Sequence, residues 1–115
     1  MRRGEVWWAE LPSPAAGRRP VLLLSRDQAY WIRELVTVAP VTTRIRDIPT
    51  EVRLSAADGL PRDCAVNLDT ITTIPKRSLS QRIALLKPDR MLAVESALRF
   101  ALDLAQPRSG LGEVY

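Results

Sequence analysis

The chain has 115 residues, 46% of them hydrophobic, which suits one globular domain with a single core and excludes a disordered segment. Its 17 Lys+Arg against 13 Asp+Glu give a net charge of +4, a modest excess that suits a polyanionic partner. With no histidine and a single cysteine, Cys64, the sequence excludes His-based acid–base pairs and triads, an internal disulfide and a tetrahedral zinc shell. Neither a P-loop nor a dinucleotide glycine fingerprint is present, so no metal and no cofactor is expected. No apolar run approaches the ~20 residues of a membrane span, and Met-Arg-Arg-Gly-Glu carries no signal-peptide pattern, so a cytoplasmic chain is expected.

Residues 4–11 alternate, with Val6 and Trp8 on one face and Glu5, Trp7 and Ala9 on the other, and predict a first strand. The stretch Leu11-Pro12-Ser13-Pro14-Ala15-Ala16-Gly17 is a loop by composition. Pro20-Val21-Leu22-Leu23-Leu24-Ser25 is too short for a buried helix and predicts a strand covered on both faces. A helical turn with Tyr30 and Trp31 is expected over residues 27–34, and a β-branched third strand over 35–39. Residues 42–47 read as a connection, 50–54 as a fourth strand, and Asp58-Gly59-Leu60-Pro61 as a turn. Residues 64–68 and 70–74 predict one fifth strand bent near Asp69, followed by a helical turn over 75–79 and a short sixth strand over 83–86. Pro88 opens the one strong helix, whose Met91, Val94, Leu98, Ala101, Leu102 and Ala105 form the expected buried face. Residues 106–115 are expected to be a loose tail after a single domain over 1–105. Strands in series closed by one helix predict a mainly β fold with α, built as a small, strongly curved antiparallel sheet or barrel.

Only Lys76 and Lys87 are lysines; every other basic side chain is an arginine, whose planar fork grips phosphate bidentately. A GC-rich genome would produce the same bias. In Gly17-Arg18-Arg19-Pro20 the proline holds Arg19 extended at the start of a buried strand, where its charge can serve a phosphate. Val38-Ala39-Pro40-Val41-Thr42-Thr43-Arg44-Ile45-Arg46 ends a strand in two hydroxyls, Thr42 and Thr43, and two arginines, Arg44 and Arg46, suited to phosphate oxygens. Taken singly, each also fits an ordinary polar loop or surface charge. Trp7, Trp8 and Trp31 are able to stack on bases, but such tryptophans are more often core or interface, and Trp8 is assigned to the core. Cys64 lacks a His partner, so a reactive thiol is not expected.

In their order, Arg3-Gly4-Glu5-Val6-Trp7, Gly17-x-Arg19-Pro20-Val21, Val38-Ala39-Pro40-Val41-Thr42 and the stretch 47–52 resemble the MazF/PemK family, the RNA-cleaving toxins of bacterial toxin–antitoxin pairs. Arg62-Asp63-Cys64-Ala65-Val66-Asn67-Leu68-Asp69 and Ile71-Thr72-Thr73-Ile74-Pro75-Lys76 extend the resemblance over residues 2–105. The resemblance implies an SH3-like barrel (CcdB/MazF-like) with a C-terminal helix, a homodimer, and sequence-selective cleavage of single-stranded RNA. It places the catalytic arginine on Arg19, the catalytic threonine on Thr42 and a supporting aspartate on Asp69, with Arg18, Thr43, Arg44 and Arg46 along the RNA. It further implies a cognate antitoxin whose acidic disordered segment covers the RNA groove. The loop before Arg19 is shorter than the family's usual Gly-Ser-Glu-Gln form, and Thr72 and Asn67 stand where relatives often carry arginine.

With neither histidine nor a metal shell, the chemistry open to such a site is attack of the RNA 2′-OH on its own phosphate, leaving a 2′,3′-cyclic phosphate and a 5′-OH. Arginine, with a pKa of ~12.5–13.8, is a poor base, which leaves charge stabilisation as the main role for Arg19. Two other functions fit the same fold: a CcdB-like toxin that poisons gyrase by protein contacts, and a non-catalytic RNA-binding module.

Overall fold

Burial on both faces of its central strands organises the molecule. In a computed structural model, which describes residues 1–10 and 17–105, β1 (Glu5–Glu10), β2 (Arg18–Leu23), β3 (Leu35–Thr42), β4 (Glu51–Leu54), β5 (Cys64–Asn67), β6 (Thr72–Pro75) and β7 (Leu79–Leu85) form one antiparallel sheet. The one-turn helix α1 (Ala29–Ile32) precedes β3, and α2 (Pro88–Leu102) ends the fold. Strand order is β4-β5-β3-β2-β1-β7, with β6 also paired to β3. The result is a curled half-barrel with a C-terminal helix, as the strand series predicts. Residues 11–16 of the expected loop and the expected tail at 106–115 lie outside the described residues.

Val21, Leu22 and Leu23 of β2 are all buried, and they face opposite ways, as an unbroken apolar run predicts. Leu22 joins Val6, Ala39, Val41, Val66, Leu68 and Val94 on the side covered by α2, while Val21 and Leu23 join Ala9, Val36, Val38 and Ile74 on the other. Strand β3 pairs with β2 through Val21–Pro40, Leu22–Ala39 and Leu23–Val38. Its first half also pairs with β6 and its last two residues with β5. This division of partners curls the sheet.

Three expectations need correction. The bent fifth strand is two strands, because Leu68–Thr70 form a 3-10 turn in which the Asn67 side chain accepts from the Asp69 N–H at 2.9 Å. The last strand starts at Leu79 rather than Ile83; its exposed Ser80, Gln81 and Arg82 hide the alternation, since β7 is an edge strand paired only to β1. On α2, Met91, Val94, Leu98 and Ala101 do pack on the core, joined by Ala97, but Leu102 is half exposed and Ala105 lies past the helix. The helix stops because Asp103 adopts a left-handed conformation, φ 56° and ψ 44°.

A buried carboxylate fastens β1 to its edge neighbour β7. Glu5 Oε1 accepts from the Trp7 indole Nε1 and the Arg2 backbone N–H, both at 3.0 Å, and Oε2 pairs with Arg82 of β7 at 3.1 Å. Burial alone would push the Glu5 pKa up. The hydrogen bonds from Trp7, Arg82 and Arg2, with the positive Met1 amino group, outweigh it, and the net direction is down. A depressed carboxylate pKa contributes stability above the unfolded value and loses it as pH falls through the folded one. Glu5→Gln is therefore expected to destabilise the fold by about 1–3 kcal/mol at pH 7. In urea unfolding it should also lose less stability than wild type between about pH 5 and pH 3. Parallel acid dependence in the two proteins would clear Glu5 of this role.

Candidate active site

The β2–β3 register runs toward the site. The ladder ends at the Val21–Pro40 pair, leaving Arg19, at the start of β2, and Thr42, at the end of β3, each two residues beyond it. Gly17, at φ 57°, supplies the left-handed turn into β2, and Pro20 fixes the backbone just after Arg19. Arg19 and Thr42 line one cleft of about 470 Å³, together with Arg18, Thr43 and Arg62. Trp8, Val41, Leu60, Pro61 and Cys64 supply its apolar surface. None of the lining residues among those described is acidic, so the cleft is electropositive.

The half-buried Thr42 hydroxyl accepts the Arg44 backbone N–H at 3.0 Å. That bond uses one lone pair and leaves the hydroxyl proton to donate to an acceptor in the cleft. Arg18 is held from three directions: its guanidinium lies 4.4 Å from the Trp8 ring centroid, its Nη2 donates to Gln81 Oε1 at 3.3 Å, and its Nε sits 3.7 Å from Glu10. Trp8 is thus a half-buried cleft wall rather than core, because its face of β1 runs out of core beyond Val6. Trp7, on the opposite face, does pack against the core, and Trp31 is 84% exposed on α1. Burial pushes the Cys64 thiol pKa up, helped by Asp63 and Asp58, which keeps it protonated and inert.

The other candidates are not gathered at the cleft. Arg44 and Arg46 are exposed on the connection after Thr43 and do not line it; the Arg46 backbone N–H donates to Glu51 at 2.8 Å. Asp69 lies on the 3-10 turn after β5, where its carboxylate accepts from the buried Thr50 hydroxyl at 2.7 Å. Arg62 and the Leu60-Pro61 wall are site residues that the sequence shows only as a turn. That wall is braced from below. Ser55 and Asp58 form a capping box, Gly59 follows at φ 91°, and Arg90 of α2 donates to Asp58 at 3.0 Å.

A family model described as PemK-like, MazF-like toxin of type II toxin-antitoxin system matches residues 2–102. The chain belongs to this family. Among its relatives is the probable endoribonuclease MazF5 of Mycobacterium tuberculosis strain H37Rv, 43% identical over 105 residues, 90% of this chain and 94% of that protein. The solved Mycobacterium tuberculosis toxin MazF-mt6 superposes with a TM-score of 0.81 at 34% identity, over 89% of this chain and 99% of that one. A mycobacterial endoribonuclease solved in complex with its cognate antitoxin gives 0.82 at 31% identity, over 93% and 99%. In this MazF-like toxin, no helix among the described residues is long and apolar enough to cross a membrane.

A Cβ on Gly59 would sit 3.1 Å from the Ala84 Cβ in a left-handed backbone. Gly59→Ala is therefore expected to lower stability by about 1–2 kcal/mol, read as the shift in the thermal unfolding midpoint. An unshifted midpoint would show that this turn tolerates a side chain.

Proposed function

We propose that this chain is the toxin of a type II toxin–antitoxin pair and acts as an endoribonuclease on single-stranded RNA. Family membership supports the activity, and one observation carries its assignment to this cleft: Arg19 and Thr42, at the ends of adjacent strands, line one groove with cationic walls and no lining carboxylate among the described residues. The phosphate to be cut lies between them. The 2′-hydroxyl gives up its proton as its oxygen attacks phosphorus, the bond to the 5′-oxygen breaks, and the leaving oxygen takes up a proton, so none is gained or lost overall. A 2′,3′-cyclic phosphate and a 5′-OH remain. DNA lacks the attacking hydroxyl and is left intact.

Arg19 stabilises the negative charge that builds on the non-bridging oxygens, and the Thr42 hydroxyl donates to one of them. Arg44 and Arg46, exposed just past the cleft, are set to follow neighbouring phosphates. Asp69 acts at one remove, holding Thr50 at the far end of that connection. The partner that silences such a groove is an antitoxin with an acidic segment, attracted by the same arginines that attract RNA. A second copy of the chain completes the particle; Trp31, Ile32 and Leu35 offer exposed apolar surface for it at α1 and the start of β3.

The test is cleavage of a mixed RNA pool in excess EDTA, with the ends analysed chemically. Wild type is expected to cut and leave cyclic phosphates, and Arg19→Ala and Thr42→Val each to lose about 10²–10³-fold in rate. Both variants should melt near wild type, since Arg19 is exposed and valine keeps the shape of threonine. Cutting that needs added metal, or full activity in the Arg19 variant, would overturn the mechanism.

A further inference from the structure

A second depression, of about 390 Å³, adjoins the cleft and shares three of its walls, Trp8, Leu60 and Pro61. Its outer side is Gln81, Arg82 and Ile83 of β7. The β1–β7 ladder is irregular on both sides of the Trp7–Trp8 pair, with Trp8 set against Gln81. Bulges of this kind turn side chains away from the regular pleat, here bringing Gln81 beside the indole.

We infer that this depression is a base-reading subsite, which takes the nucleobase next to the scissile phosphate and reads it with the Gln81 amide. The inference rests on RNA being the substrate proposed above. Three features carry it. Trp8, Leu60, Pro61 and Ile83 give the apolar and aromatic surface that an unstacked base requires. Arg18, held over the Trp8 ring, and Arg62 in the adjoining cleft supply positive charge for the phosphates on either side of that base.

The third feature is the orientation of the amide. A guanidinium has only donors, so the Gln81 atom facing Arg18 at 3.3 Å is the carbonyl oxygen. The amide nitrogen is turned the other way, and among the described residues no acceptor engages it. Gln81 is exposed, so packing does not demand a glutamine there. Two N–H donors beside an aromatic wall select bases with an exocyclic carbonyl, guanine O6 or uracil O4, over those with an exocyclic amine, adenine N6 or cytosine N4. Arg82 is fixed at its place by Glu5, at 3.1 Å, and walls the depression without competing for the base.

The experiment compares wild type, Gln81→Ala and Gln81→Glu on RNAs randomised around the cut, with the new 5′ ends sequenced. Gln81→Glu keeps an oxygen for Arg18 but removes both donors. At one position beside the cut, wild type is expected to prefer guanine and uracil over adenine and cytosine, and both variants to lose about 5- to 100-fold of that discrimination. Preferences at other positions should persist. A structural role for Gln81 would slow all sequences alike and leave the ratios unchanged, and unchanged ratios overturn the inference. A second arm, free of chemistry, sequences the fraction of a 2′-fluoro RNA pool that each protein binds. Wild type that binds this pool but never cuts RNA defeats the cleavage reading alone, and the Gln81-dependent base preference in the bound fraction then decides the subsite. Wild type that binds no RNA overturns both.

Discussion

Strand β3 makes three ladders at once, and the position of every cleft residue follows from that. One edge is held by β2; the other is divided between β6, along residues 35–38, and β5, at Val41 and Thr42. A strand that changes partner part-way along one edge cannot lie in a flat sheet. The curl carries the end of β3 over toward the 56–62 turn, so that Thr42 faces Leu60, Pro61 and Arg62 across a groove rather than open solvent. The same strand has Val36 and Val38 buried on one face and Ala39 and Val41 on the other, so slipping its register by one residue would exchange both cores. Arg19 and Thr42 are therefore placed by the burial of the strands that carry them.

Charge is distributed just as unevenly. Several arginines are committed to carboxylates that brace the scaffold: Arg82 to Glu5, Arg90 to Asp58 and Arg3 to Glu95. Those pairs cancel within the frame, and the Glu5 and Asp58 members are buried enough for the pairing to hold β7 and the 56–62 turn in place. The cleft lining holds Arg18, Arg19 and Arg62 and no carboxylate among the described residues, with Glu10 beside Arg18 outside that lining. A net charge of only +4 thus understates the local field, because acids and bases are sorted between frame and groove.

Much of this was readable in the residues. The alternation of β1 separated Val6 and Trp8 from Trp7 and Ala9 correctly, and the run Val21-Leu22-Leu23 declared a strand buried on both sides. Arg19 and Thr42 are ordinary residues taken singly; the family resemblance singled them out, and both line one cleft. What stayed hidden depended on partners distant in sequence. Gln81 and Arg82 look like loop residues because an edge strand has no second neighbour to enforce alternation. Trp8 looks like core because the sequence cannot show where the core ends along β1. The break at Leu68–Thr70 turns on Asn67 capping its own chain, a local bond that competes with the ladder in a stretch otherwise suited to a strand.

The two walls of the groove are built under different constraints. Arg19 and Thr42 sit on central strands whose register is fixed by both cores, so the groups proposed to act on the phosphate inherit the rigidity of the whole sheet. Gln81 sits on an edge strand held by one ladder, to β1, and Leu60 and Pro61 on a capped turn, with Arg82–Glu5 and Arg90–Asp58 as side-chain ties to the frame. Changing a residue on that side alters what the groove accepts without moving the strand ends where the phosphate reacts. On the proposed reading, a sheet curled this way separates chemistry from recognition, with the cut held at the centre and its position along an RNA strand chosen at the edge.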